Sequence, residues 1–153
     1  MIKIKSNTPF SKRLLERAAQ AALENQSKPL DSELTIVLTD DAHIQELNRD
    51  YLGIDAPTDV LSFPASEIDG SEIDPETGAP YLGDIIISLS YAAKSAAQAG
   101  HPLEAEVQLL VVHGVLHLLG HDHGRVREKA KMWKAKAEIL ESLGLGEIKI
   151  REE

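Results

Sequence analysis

The chain predicts an α+β fold: a single domain over residues 1–153, with a small mixed sheet of about four strands covered by helices. Three observations predict it. Apolar spacing alternates between the strand and helix periods through the first half of the chain, and then becomes helical. Asp84 to Leu89 holds consecutive isoleucines, as a strand buried on both faces does. Val107 to Leu119 is an apolar run with Gly114 as its one breaker, long enough for a buried helix.

Taken in order, Met1 to Lys5 alternates apolar and charged residues and reads as a half-buried strand. Pro9 opens a helix with Thr8 as its cap. Phe10, Leu14, Ala18, Ala21 and Ala22 form its apolar stripe, which reaches about Asn25. Gln26 to Asp31 is a loop, and Glu33 to Thr39 a second strand. Asp40 or Asp41 caps the next helix, where Ile44, Leu47 and Tyr51 recur at helical spacing until Gly53. His43, near its start, reads as an exposed polar residue. Ala56 to Pro64 makes a turn and a short β-rich stretch that Pro64 ends. Ala65 to Pro80 is polar and reads as a mobile loop or hairpin insertion. After the isoleucine strand, Ser90 caps an Ala-rich helix ending at Gly100, and Pro102 opens the long helix. A last helix spans about Arg125 to Leu143, with Ala130, Trp133, Ala137 and Leu140 inside and its lysines outside.

The centre of the sequence is His113-Gly-Val-Leu-His117-Leu-Leu-Gly120-His121-Asp122-His123, which holds four of the six histidines. His113 and His117 are one helical turn apart, so their rings share a face and suit a common metal ion. Gly120 takes φ > 0 at low cost and can stop the helix. Were the helix to run on, His121 would lie roughly 12 Å along the axis from His113, at about 1.5 Å per residue. Ligands bound at about 2.0–2.1 Å cannot be so far apart. The third ligand therefore comes from beyond the turn, and His123 has the slack to reach. The spacing is that of the metzincin pattern H-E-x-x-H-x-x-G-x-x-H, with Gly114 where that pattern has glutamate. The reading is a zincin-like metal helix with one Zn2+ on His113, His117 and His123. Three protein ligands leave one position open, as in catalytic zinc sites.

Composition limits the rest. Apolar residues make up 42%, ordinary for a globular chain, and there is no cysteine, hence no disulfide or thiolate ligand. The N-terminus lacks signal-peptide character, and no apolar run nears the ~20 residues of a membrane span. A cytoplasmic protein with no membrane partner is expected. The net charge of −9 argues against nucleic-acid binding by the whole surface. Its distribution is uneven: Glu67 to Asp84 carries six acidic residues, and Arg125 to Lys136 six basic ones. The basic run directly follows the histidine motif, where it could steer an anionic substrate.

Three segments together resemble one family. They are Leu47-Asn48 through Asp55-Ala-Pro-Thr-Asp-Val-Leu-Ser-Phe-Pro64, Leu82-Gly-Asp-Ile-Ile-Ile-Ser88, and the histidine motif. On these the chain looks like a member of the YbeY family of metal-dependent endoribonucleases. The resemblance covers the whole length, and H-G-x-L-H-L-x-G-x-D-H is a specific signature. It implies zinc on His113, His117 and His123, and cleavage of single-stranded RNA. It also implies maturation of the small-subunit ribosomal RNA 3′ end, ribosome quality control, and the ribosomal small subunit with its assembly factors as partners. One position departs: Leu52 stands where the family commonly has arginine after the tyrosine, a residue suited to clamping phosphate. Arg49 or Arg125 are the candidate replacements. Asp122 is a candidate to orient a ligand histidine, and His121 a candidate proton donor. Asp59 and Ser62 are candidates to line the cleft, or Asp59 only holds a turn. Two other readings stand beside this one: a metzincin-like zinc peptidase, which the missing glutamate disfavours, and a non-catalytic ribosome-assembly factor with a structural metal.

Overall fold

The computed structural model describes residues 2–6, 8–65, 79–120 and 126–147. Among them are four strands, β1 (Ile2–Ser6), β2 (Glu33–Thr39), β3 (Val60–Pro64) and β4 (Tyr81–Ser88). Five helices accompany them: α1 (Lys12–Asn25), α2 (Asp41–Leu52), α3 (Leu89–Ala99), α4 (Leu103–Leu118) and α5 (Val126–Ser142). The strands form one sheet in the order β1-β2-β4-β3. β1, β2 and β4 are parallel, and β3 pairs antiparallel with β4 at one edge. The α+β expectation, with its small mixed sheet, is borne out.

The isoleucine run occupies the middle of this sheet and alternates between its faces. Ile85 and Ile87 join Leu34, Ile36 and Leu38 in the main core, against α1, α4 and α5. Ile86 turns the other way and packs with Leu61 and with Ile44 of α2. One irregularity marks the start of β4. Glu33 pairs with Tyr81 but Leu34 pairs with Gly83, so Leu82 is an extra residue. Gly83 has φ +137, and a Cβ there would collide with the Phe63 carbonyl, so only glycine fits the bulge.

α4 is the helix around which the domain is built. Thirteen of its sixteen residues are buried, so it is apolar nearly all round rather than amphipathic. Two of its buried polar groups, Gln108 and Glu106, are bonded close by. Gln108 Nε2 donates to the Glu104 carbonyl at 3.1 Å, and His101 Nε2 and Glu106 Oε1 share a hydrogen bond of 2.6 Å.

Several local expectations are corrected. Ser11, not Thr8, caps α1 by accepting from Leu14 N, and the helix begins at Lys12. Its buried stripe is Leu15, Ala18, Ala19, Ala22 and Leu23, which leaves Leu14 and Ala21 at the margin. Ser88, not Ser90, caps α3 by accepting from Tyr91 N. β4 starts at Tyr81 rather than Asp84. α5 is rotated: Met132, Ala135, Ile139 and Leu140 are buried, whereas Ala130 and Ala137 are exposed. Larger side chains remove more apolar area from water than alanines do, and they set the rotation. Lys136, expected outside with the other lysines, is 2% exposed. Asp40 caps α2, and Gly53 (φ +73) and Gly100 (φ +78) end α2 and α3 as expected. The loop expected from Ala65 to Pro80 lies mostly outside the described residues.

Candidate functional site

α4 packs over both β3 and β4, and it lies close because position 114 is glycine. A Cβ on Gly114 would come within 2.8 Å of Ile85 Cγ2. Ser62 Oγ donates to the Gly114 carbonyl at 3.4 Å, which ties the edge strand to the same point. The glycine read as a missing glutamate is thus also a packing requirement: a side chain there would enter the sheet.

His113 and His117 precede the two sheet-facing positions Gly114 and Leu118, on successive turns. Their rings stand 4.4 Å apart between centroids and are tilted by 59°, so they converge without stacking. His113 is buried and His117 partly exposed, which makes the pair a site entered from one side. The helix ends at Leu118. Leu119 N donates to the Val115 carbonyl at 3.1 Å, Gly120 N to the His117 carbonyl at 3.0 Å, and Gly120 takes φ +94. The helix therefore stops one residue after the second histidine, ahead of Gly120, as the spacing implied. His121, Asp122, His123 and Arg125 lie outside the described residues. Among the described residues no group of three or more His, Asp or Glu side chains is placed to hold a metal. The pair itself fits zinc: two neutral imidazoles at this separation can both touch an ion with Zn–N bonds of about 2.0–2.1 Å.

The other candidates fall as follows. Arg49 is half exposed on α2, with Nε 3.2 Å from Asp50. Leu52, which stands where the resemblance implies an arginine, is 56% exposed beside Tyr51, whose ring lies 5.3 Å from that of Phe63. Asp59 holds a turn: Oδ1 accepts from Val60 N at 2.8 Å, and its carbonyl accepts from Ser88 N at 3.0 Å. His43 is exposed and bonded through Nδ1 to Thr39 Oγ1, away from any cluster, as expected.

Two residues near the C-terminal end of α4 were not singled out from sequence, Lys28 and Tyr81. With Leu82, Leu118, Leu119 and Gly120 they line a pocket of about 360 Å3 at the C-terminal end of α4. Tyr81 OH bonds Asp84 Oδ1 and lies 2.9 Å from Thr35 Oγ1, which fixes the ring. The aromatic ahead of Leu82-Gly-Asp was the available signal.

Fold and site together define a small α+β protein with a histidine pair on its buried helix. The sequence profile described as Endoribonuclease YbeY matches residues 2–144. Relatives of that name include one from Roseiflexus sp. (strain RS-1), 45% identical over 133 residues, covering 86% of this chain and 83% of the relative. Another, from Shouchella clausii, is 45% identical over 140 residues, covering 88% and 84%. The solution structure of TM1509 from Thermotoga maritima is similar in fold, with TM-score 0.58 and 26% identity over 94% of this chain and 92% of that one. The chain belongs to the endoribonuclease YbeY family, and so to the nuclease class of hydrolases.

Proposed function

We propose that this chain is a zinc-dependent endoribonuclease that cuts single-stranded RNA, with ribosomal RNA as its substrate. The supporting observation is the convergence of His113 and His117 on one face of α4, with the helix stopping before Gly120, which takes φ +94. In this reading His113, His117 and His123 hold the ion as neutral imidazoles. Bound there, zinc supplies Lewis acidity toward a phosphoryl oxygen and activates water for attack. Asp122 orients a ligand imidazole, His121 donates a proton to the leaving oxygen, and Arg49 or Arg125 neutralises phosphate charge.

The ribosomal assignment rests on family membership. The substrate is the 3′ end of small-subunit RNA, the partners are the small subunit and its assembly factors, and the role extends to ribosome quality control in the cytoplasm. Among the described residues no helix is long and apolar enough to cross a membrane. A peptidase reading meets a physical obstacle, since a general base at position 114 would point into Ile85. The non-catalytic assembly-factor reading draws on Leu52, which leaves the exposed end of α2 without the phosphate clamp.

The test loads purified protein with zinc and supplies single-stranded RNA. Cleavage should disappear with a chelator and in His117→Ala. Cleavage that survives both would overturn the proposal, and inactivity of protein carrying a fourth protein ligand on the ion would establish the structural-metal reading.

A further inference from the structure

β3 is an edge of the sheet, and the histidine pair lies on its side of α4. Gly114 and Leu118 face β4, where they meet Ile85 and Gly83. Residues step by about 100° around a helix, so Val115 and His113 lie on opposite flanks of that contact. On the Val115 flank, Leu119 borders Lys28, in the loop that leads from α1 to β2. His113 and His117 therefore occupy the flank toward β3, and Ser62 Oγ of β3 reaches the Gly114 carbonyl, one residue past His113.

The unpaired side of β3 carries an uneven set of backbone groups. Ser88 N donates to the Asp59 carbonyl at 3.0 Å, and in the same register Leu61 pairs with Ile86 and Phe63 with Asp84. Antiparallel pairs alternate between bonded and unbonded, so Asp59, Leu61 and Phe63 bond to β4, while Val60, Ser62 and Pro64 turn their backbone groups outward. Three carbonyls face out there. The Val60 N–H is taken by Asp59 Oδ1 at 2.8 Å, and proline has no N–H. Among the described residues, the Ser62 N–H is thus the one open donor on this edge. A peptide strand brings donors and acceptors in equal number, so the edge is blunted against strand addition. A ligand with hydroxyl donors fits it better. A carbonyl accepts from a ribose 2′-hydroxyl, which deoxyribose lacks, and an N–H donates to a phosphate oxygen. Uncharged contacts of this kind suit a chain of net charge −9, which meets RNA with few cations.

We propose that the free edge of β3 is where this protein tells RNA from DNA, with the Val60 and Ser62 carbonyls accepting from 2′-hydroxyls and the Ser62 N–H on a phosphate oxygen. The proposal takes its substrate class from the nuclease reading, but its test is binding and needs no cleavage.

The test compares hexanucleotides of one sequence in ribo, deoxy and 2′-fluoro form by fluorescence anisotropy. It uses full-length His117→Ala, in which the ribo strand stays whole, and reads affinity ratios, so that any contribution of the ion cancels. The ribo form should bind about fivefold or more tighter than either of the others, the worth of one or two net hydrogen bonds. The 2′-fluoro strand keeps the sugar pucker of RNA and lacks the donor, so its loss isolates the hydrogen bond. In NMR spectra of isotope-labelled protein the Ser62 amide signal should move with the ribo strand, while that of Lys5, on the far edge strand β1, stays still. Ser62→Pro removes the donor at an edge position open to proline, and it should bind all three strands several-fold more weakly. If Ser62→Pro does not fold, the amide shift decides. Equal affinity for the ribo and 2′-fluoro strands, or a Ser62 signal that stays still, would overturn the proposal. So would a Ser62 signal that moves with an extended valine-rich peptide and not with RNA. The expected ratios and shift in protein whose zinc-loaded wild type never cuts RNA would sink the nuclease reading and leave the edge standing. Zinc-dependent cleavage by wild type alongside equal affinities would do the reverse.

Discussion

Gly114 shows how one position can carry two meanings. Its sequence neighbours identify it as the missing acid of a peptidase motif, while its spatial neighbour Ile85 makes it the point where helix and sheet meet. Gly114→Ala should therefore destabilise the protein. The gain in helix propensity, about 1 kcal/mol, is outweighed by overpacking of about 1–3 kcal/mol in a core that cannot easily give way. A urea titration followed by the fluorescence of Trp133, the one tryptophan, measures it. Gly114→Glu should not fold, and a folded, proteolytic variant would contradict this packing. The histidine pair was legible because i,i+4 spacing is a local property of the chain. The second meaning of Gly114 was not, since Ile85 is distant in sequence and only the sheet register brings it beneath the helix. The pocket at Lys28 and Tyr81 was hidden for the same reason: its wall combines three separate segments.

At the scale of elements, the glycine stops fell where the sequence placed them, while the caps of α1 and α3 moved from Thr8 to Ser11 and from Ser90 to Ser88. Gly53 and Gly100 were unambiguous. The cap of α3 was not: it falls to Ser88 rather than the expected Ser90, and Ser88 is also the last residue of β4. There its hydroxyl accepts from Tyr91 N and donates to Asp41 Oδ1 at 2.6 Å, joining the starts of α2 and α3. Ser88→Ala should cost about 1–2 kcal/mol, the loss of a buried cap, and Ser90→Ala about 0.5 kcal/mol or less. Thermal melting of the two variants side by side checks the difference, and equal losses would refute the assignment. The rotation of α5 was likewise beyond the sequence. Its alanines and lysines permit two apolar stripes, and Met132, Ile139 and Leu140 decide between them only because the core is there to receive them.

For the whole molecule, the order of strands and helices was legible and the sheet order was not. The central place of β4 and the antiparallel edge β3 follow from pairing between segments that no periodicity links. The net charge of −9 means that RNA must be met locally, at few cations, so binding should depend only weakly on salt compared with a basic nuclease. Zinc should raise the melting temperature by several degrees, since an ion held at 100 times its Kd adds about 2.7 kcal/mol to a chain of this size. His117→Ala should abolish that rise, and a rise that persists would place the ion elsewhere. The burial of α4 on nearly all sides has a further consequence. Its backbone amides, from Leu109 to Leu116, should trade their protons with deuterated solvent more slowly than any other stretch, near the rate set by global opening. Both imidazoles thus ride on the last part of the protein to come apart, and their spacing outlasts any fraying at the periphery.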